Sequence, residues 1–397
     1  MRASVCGLLA SPPPGPRGRG CVVYDTARGV VEEVTEEPRG ELVAAGEDLL
    51  VLPGLVDMHV HLRGLQLSYK EDERSGCRAA LRGGLTLVAD MPNTSPPAST
   101  PEVVAEKLRR LRSLRLEALL YAGVPPSEGL VDDIASMPGV AGFKIYPRDL
   151  VERHRVVERI LSKPGLLVVV HPELPEAEKS EYEDPSSRAA GRGCHWEAAA
   201  VEYIASLSPE ARVHITHASC SSTVTLAKRY GFTVDVAPHH LLYTPPRGGG
   251  CLYKVNPPLR LPPEPQLLLK QLLDGQVDAI ASDHAPHAPG EKEGDPLTCP
   301  PGIAWLEAWP RLLLCLLDRL GGPQLLASLA STRPAALLSR RRCLDPGCPA
   351  TFTVYQRAWT RFDAVRESKA RRVPYLGARL CAETRLVVVD GKHLMLG

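Results

Sequence analysis

Eight apolar, β-branched runs recur along this chain, and seven of them end in or carry a residue able to do chemistry. Residues 52–60 lead to His59 and His61, 85–91 to Pro92-Asn93-Thr94, and 140–146 carry Lys144. Residues 166–170 lead to His171-Pro172-Glu173, 212–216 to His217-Ala218-Ser219, 232–237 to Pro238-His239-His240, and 277–282 to Asp283. The remaining run, 116–124, has no polar tip beyond Tyr121. Helix-compatible stretches lie between the runs, among them 101–114, 151–161, 196–207, 222–230 and 265–273. Strands alternating with helices require a parallel sheet. Eight such units form a (β/α)8 barrel, whose active site lies where the strand C-termini emerge.

The flanks read differently. Residues 1–52 hold strand-like pieces at 20–24, 29–34 and 49–52, broken by Gly and Pro. Residues 3–10 imitate a signal peptide only faintly, because the apolar stretch is short, Gly-interrupted and followed by prolines. They read as a first strand. The C-terminal pieces 350–355 and 386–389 are similar, with a hairpin signal at Asp390-Gly391. Neither end supplies enough apolar surface to fold alone. The expectation is an α/β chain with two parts: a TIM-like barrel over 53–342, and a small β-sandwich built jointly from 1–52 and 343–397. The loop 243–251, with Pro-Pro-Arg-Gly-Gly-Gly, reads as mobile.

A net charge of +1 gives no electrostatic reason to expect nucleic acid or a membrane as partner. The basic runs Arg109-Arg110-Leu111-Arg112 and Arg340-Arg341-Arg342 lack an aromatic platform and read as solvated helix faces or ends. No run approaches the roughly 20 apolar residues of a membrane span. Eleven cysteines, an odd number without a C-x-x-C pair, argue against a zinc ribbon or a disulfide scaffold. Reduced thiols in a cytoplasmic protein are the default expectation. A few disulfides would suit a hyperthermophilic source, which the 38 prolines permit.

The first run ends in Asp57-Met58-His59-Val60-His61-Leu62-Arg63. In a strand, residues two apart share a face, so both imidazoles can reach one ion. His59, His61, Lys144, His171, His217 and Asp283 all fall at predicted strand ends of one barrel, which is the pattern of a metal site rather than of scattered core histidines. Arg63 lies two residues past His61, on the same strand face, where its guanidinium can grip a carboxylate bidentately. His154 in mid-helix, His195 at a helix start and the out-of-phase His214 read as structural; His239 and His284 stay open. An ammonium repels a metal, so spacing alone makes Lys144 an ordinary lysine that snorkels to the surface.

Seven stretches, in order, resemble the cyclic amidohydrolases, and among them most of all the dihydroorotases. They are Pro53-Gly54-Leu55-Val56 running into the histidine motif, Met91-Pro92-Asn93-Thr94, Gly142-Phe143-Lys144, Ile215-Thr216-His217-Ala218-Ser219, Ala237-Pro238-His239-His240-Leu241, Asn256-Pro257-Pro258-Leu259-Arg260 and Ser282-Asp283-His284-Ala285-Pro286-His287. The tail Val373-Pro374-Tyr375-Leu376-Gly377, with Val389-Asp390-Gly391-Lys392, resembles the family's β domain. H-x-H alone marks the whole superfamily; D-H-A-P-H together with H-x-H-x-R and M-P-N-T is far more specific.

The resemblance implies a zinc hydrolase of cyclic amides that reversibly closes N-carbamoyl-L-aspartate to L-dihydroorotate in pyrimidine biosynthesis. One Zn2+ would be held by His59, His61 and Asp283, a second by His171 and His217, with Lys144 carbamylated (N6-carboxylysine) as the bridge. Water bridging two such ions becomes hydroxide near neutral pH, and Asp283 would serve as general acid and base. Arg63, Asn93 and His287 would hold the substrate carboxylate, with Asn256 as a further substrate contact. A homodimer and association with aspartate transcarbamoylase are the partners it implies. Two alternatives remain beside it. One is a dihydropyrimidinase, hydantoinase or allantoinase, which needs no carboxylate clamp. The other is a non-catalytic, dihydroorotase-like scaffold partner, which would have lost metal ligands.

Overall fold

The computed structural model describes residues 1–179, 185–246 and 250–396. Residues 247–249 of the loop expected to be mobile therefore lie outside the described residues.

Eight strands form a parallel sheet in sequence order: β5 (Leu55–Val60), β6 (Leu85–Asp90), β7 (Glu117–Gly123), β8 (Val140–Ile145), β9 (Leu167–Val170), β10 (Arg212–Ile215), β11 (Thr233–Val236) and β12 (Ala279–Ile280). The four strands preceding them are β1 (Arg2–Ala10), β2 (Arg17–Asp25), β3 (Val30–Thr35) and β4 (Glu41–Pro53), and the three following are β13 (Phe352–Arg361), β14 (Arg379–Val389) and β15 (Lys392–Met395). The parallel strands are buried on both faces, as near-continuous Val, Leu and Ile runs require. The strand residues divide between two cores. Val56, Met58, Leu87, Ala89, Tyr121, Leu167 and Val169 fill the barrel interior. Leu55, Val60, Leu85, Val88, Leu120, Val168 and Val170 pack outward under the helices. Tyr121, on the run without a polar tip, is one of the interior fillers.

The sheet closes just beyond its shortest strand. The amide of His61 donates to the carbonyl of His284 at 2.8 Å, and Val60 bridges to His284 in parallel register. The first and last barrel strands thus meet where His59, His61 and Asp283 reside.

The expected helices appear at Pro101–Leu111, Cys194–Ser206, Ser221–Arg229 and Glu264–Leu273. The stretch 151–161 is interrupted at Arg153 (φ −134°, ψ 29°), giving helices Asp149–Glu152 and His154–Leu161. His154 therefore opens a helix instead of lying in the middle of one. A further helix, Glu73–Gly83, starts with a capping box between Asp72 and Ser75.

The terminal segments form one seven-stranded sheet, ordered β15-β14-β13-β4-β1-β2-β3. It curls on itself. Tyr24 of β2 and Phe352 of β13 are separated by β1 and β4, yet their rings pack edge to face at 5.3 Å. Strands lie about 4.8 Å apart in a flat sheet, so that contact requires strong curvature. The two halves enclose a core of Val5, Val22, Tyr24, Val51, Phe352, Val354 and Leu386. Both Asp390 (φ 48°) and Gly391 (φ 78°) adopt the left-handed conformation of a tight hairpin.

The cysteines correct the reduced-thiol expectation. Five disulfides pair Cys6–Cys21, Cys194–Cys220, Cys251–Cys299, Cys315–Cys381 and Cys343–Cys348, leaving Cys77 free and buried. Among the described residues no helix is long and apolar enough to cross a membrane.

Candidate active site

A cavity of about 340 Å³ opens at the C-terminal ends of the barrel strands. Its lining includes His59, His61, Arg63, Asn93, Tyr146, Arg148, His171, His217, Asn256 and Asp283. Within it, Oδ1 of Asp283 lies 3.4 Å from Nε2 of His59 and 3.1 Å from Nε2 of His61. The His59 ring centroid is 5.2 Å from that of His61 and 5.1 Å from that of His217, which is in turn 4.7 Å from that of His171. Four histidines and an aspartate from four separate strand ends thus meet at one point.

Three of the four imidazoles, those of His59, His61 and His171, are aimed by a group behind them, while Nδ1 of His217 has no hydrogen-bond partner. Nδ1 of His61 meets Oδ1 of Asn93 at 2.5 Å, and Nδ1 of His59 meets Oγ1 of Thr216 at 2.6 Å. The Thr216 hydroxyl donates to Asp235 at 2.9 Å, so it accepts from His59. Both rings therefore carry their proton on Nδ1 and present the Nε2 lone pair to Asp283. His171 donates from Nε2 to Oε2 of Glu173 at 2.8 Å, and Arg192 grips both oxygens of that carboxylate, Oε2 at 2.6 Å and Oε1 at 3.0 Å. Burial alone would raise the Glu173 carboxyl; these two partners bring it down to about 2. Asp235 also accepts from the His217 amide and from His214, which gives His214 its structural role. Below the site, Asp57 accepts from the amides of His59 and Ser282, joining the first and last strands.

Burial first, then positive neighbours, hold His59, His61 and His217 well below the usual histidine range. Neutral imidazole is the metal-binding form. Burial also pushes Asp283 up to about 7; a divalent cation beside it would oppose that shift. The backbone is strained at the same place, with Arg63 (φ 51°), His217 (φ 41°) and Asp283 (φ 48°) all left-handed although none is glycine.

Lys144 does not snorkel to the surface. It is fully buried, and its Nζ has no hydrogen-bond partner. Its charge acts on His59, His61, His217 and Asp283, which places it beneath the cluster. Burial lowers its amine to about 7. A buried, partnerless amine beside neutral imidazoles and a carboxylate is a poor resting place for an ammonium but fits a carbamate bridging two cations. The donor set of His59, His61 and Asp283, with ligand atoms within 4.8 Å of one another, fits one ion.

Arg63 does not continue the strand, which ends at Val60. It reaches the cavity through a left-handed turn, with Nε 3.4 Å from the Pro286 carbonyl. Asn256 lines the cavity while its Oδ1 accepts from Arg188. His287 lies outside the lining, with Nε2 3.0 Å from the Pro301 carbonyl and Nδ1 beside Lys70 and Glu291. His239 accepts from the Trp305 indole at 3.2 Å, and His284 accepts from the Trp305 amide at 2.9 Å, so both are packing groups.

Sequence reasoning missed Thr216, Asp235 and Glu173 as orienting groups, and Tyr146 and Arg148 as lining groups. Thr216→Val keeps the shape and removes the acceptor for His59. Metal titration of that variant should show affinity lowered about 10–100-fold with folding retained; unchanged affinity would mean the hydrogen bond does not orient His59.

The match to the Amidohydrolase family covers residues 50–244. The chain is 46% identical to a dihydroorotase of Aeropyrum pernix over 368 residues, covering 89% of this chain and 85% of that one. It is 35% identical to a dihydroorotase of Sulfolobus acidocaldarius, covering 94% and 90% of the two chains. In fold it resembles an L-hydantoinase of Arthrobacter aurescens, with a TM-score of 0.87 at 21% identity, covering 100% of this chain and 97% of that one. A dihydropyrimidinase of Brevibacillus agri superposes with a TM-score of 0.85 at 18% identity, covering 100% and 95%. At such identities the structural likeness speaks for the barrel and its companion sheet alone. The relatives by sequence are closer, span nearly the whole length and agree with one another, and on that ground this chain belongs to the dihydroorotase family of amidohydrolases.

Proposed function

We propose that this cavity interconverts N-carbamoyl-L-aspartate and L-dihydroorotate. The observation that carries the reading is a guanidinium, that of Arg63, lining the same cavity as the His59, His61 and Asp283 cluster. Dihydroorotate is a small cyclic amide bearing a carboxylate, so it needs both an activated water and a cationic anchor. The rings handled by dihydropyrimidinase or hydantoinase lack that carboxylate, and a buried Arg63 would be an unpaired cation against them.

His59, His61 and Asp283 would hold one zinc ion, His171 and His217 a second, with the Lys144 carbamate between them. Bound there, the ions would supply a water acidic enough to ionise near neutral pH and would polarise the ring carbonyl. The chain does the rest. Arg63, with Asn93 and Asn256, fixes the carboxylate and ring so that the scissile amide faces Asp283. Asp283 takes the proton of the attacking water on its carboxylate and returns it to the departing ring nitrogen. In the direction of ring closure the same carboxylate carries the proton the other way. We place the enzyme in the cytoplasm, and its five disulfides then imply a hyperthermophilic source, where cytoplasmic proteins are disulfide-rich.

The test is direct turnover by purified, zinc-loaded protein. Dihydroorotate and carbamoyl aspartate should interconvert, and chelation should abolish the activity until zinc is restored. No turnover of either compound would sink the proposal, and faster hydrolysis of hydantoin or dihydrouracil would favour a neutral-ring enzyme.

A further inference from the structure

Lys107 lies on the helix Pro101–Leu111, behind the cavity, and is fully buried. Its Nζ donates to the carbonyl of Arg63 at 2.9 Å and to Oε1 of Glu73 at 2.7 Å, and pairs with Oδ2 of Asp90 at 2.9 Å. Three oxygens thus surround an ammonium that carries three protons. The second oxygen of Asp90 accepts from the Leu62 amide at 2.8 Å. The cluster therefore grips the main chain at Leu62 and at Arg63.

The gripped segment is strained. Arg63, Gly64 and Leu65 are consecutive residues with positive φ, of 51°, 69° and 50°. For an L-residue that conformation costs roughly 1–2 kcal/mol, and it persists only where the surroundings over-determine it. A Cβ on Gly64 would collide with the Glu73 carboxylate, so the cluster packs directly against the turn. The turn takes the chain off strand β5 and delivers the Arg63 side chain to the cavity beside His61 and Asn93. A buried ion cluster is a poor source of net stability compared with apolar packing. What this one supplies is a fixed backbone.

We propose that Lys107 is a positioning residue for substrate recognition: acting through the Arg63 carbonyl, it holds the turn that aims the guanidinium at the substrate carboxylate. The inference rests on the reading of Arg63 as the carboxylate anchor and adds the element that sets its aim. It assigns Glu73 and Asp90 as the counter-ions that keep Lys107 in place.

A double-mutant cycle on the zinc-loaded enzyme tests it. Arg63→Ala should raise KM for dihydroorotate about tenfold or more, the loss expected when a charge-assisted contact is removed. Lys107→Met, of similar length but without donors, should raise KM by about the same factor while kcat falls less than about threefold. Combining the two should add nothing beyond Arg63→Ala alone, because both remove one interaction. If the two effects multiply instead, Lys107 does not act through Arg63 and the inference falls. If Arg63→Ala leaves KM unchanged, it is the anchor reading that fails. Should Lys107→Met not fold, Glu73→Gln keeps the Oε1 acceptor and the volume while removing one charge. The same cycle should then give a KM rise of about threefold that vanishes in the Arg63→Ala background; a rise that persists there overturns the proposal.

Discussion

Asp283→Asn is expected to leave the protein folded and to lower kcat about 10²–10⁴-fold, the range that a positioned acid–base group contributes. The amide cannot take up a proton, so the transfer from water to ring nitrogen loses its carrier. Backbone geometry makes asparagine the informative replacement. Residue 283 has φ 48°, a conformation that Asn and Asp tolerate far better than other non-glycine residues. Alanine there would mix backbone strain with the loss of the carboxylate. Zinc content should be measured beside kcat, because Asp283 approaches both His59 and His61 and belongs to the same donor set. A variant that still binds metal and loses turnover fits the proton-carrier role. A variant that keeps kcat within about tenfold removes Asp283 from the chemistry.

Breaking the disulfides should have the largest effect on stability. Cys315, on the helix Trp309–Gly321, pairs with Cys381 on β14 across 66 residues, and so ties the barrel's outer layer to the terminal sheet. On the chain-entropy view, a loop of that length corresponds to ~4 kcal/mol of lost freedom in the unfolded chain. Replacing both cysteines by alanine should cost about 2–4 kcal/mol, read as a shorter half-life of activity at elevated temperature. Reducing every disulfide should shorten it further. Equal half-lives with and without reductant would show that the bonds are dispensable.

The barrel was legible because its strands must be apolar on both faces and its chemistry must sit at their ends. Both requirements leave local marks, and all eight runs correspond to strands β5–β12. The last is the exception in length: only Ala279–Ile280 pairs as a strand, and the closing bond comes from His284 beyond it. The histidines were legible for the same reason, as polar tips on apolar runs. What lay behind them was not. Thr216 is 157 residues from His59, and no spacing rule links the two. Nor can periodicity reveal that Arg63 leaves the strand: Gly64 beside it marks a turn, but nothing in the pattern shows that positive φ begins one residue earlier, at an arginine. Lys144 looked like a surface lysine until its neighbours were known. The cysteine pairs were hidden by their separations, which run from 5 to 66 residues and match no framework. The terminal pieces were visible as strands, while their joining into one curled sheet depends on long-range pairing, such as β1 beside β4 and β4 beside β13.

The seam of the barrel has a consequence for how the enzyme comes into being. His61 and Asp283 are 222 residues apart in the chain yet face each other across the hoop's clasp. A polypeptide emerging from the ribosome therefore carries all four histidines of the cluster long before it acquires Asp283, the carboxylate proposed to move the proton. The ion that serves the reaction would also grip both ends of the hoop, rewarding completion of the ring and tolerating no catalysis before it.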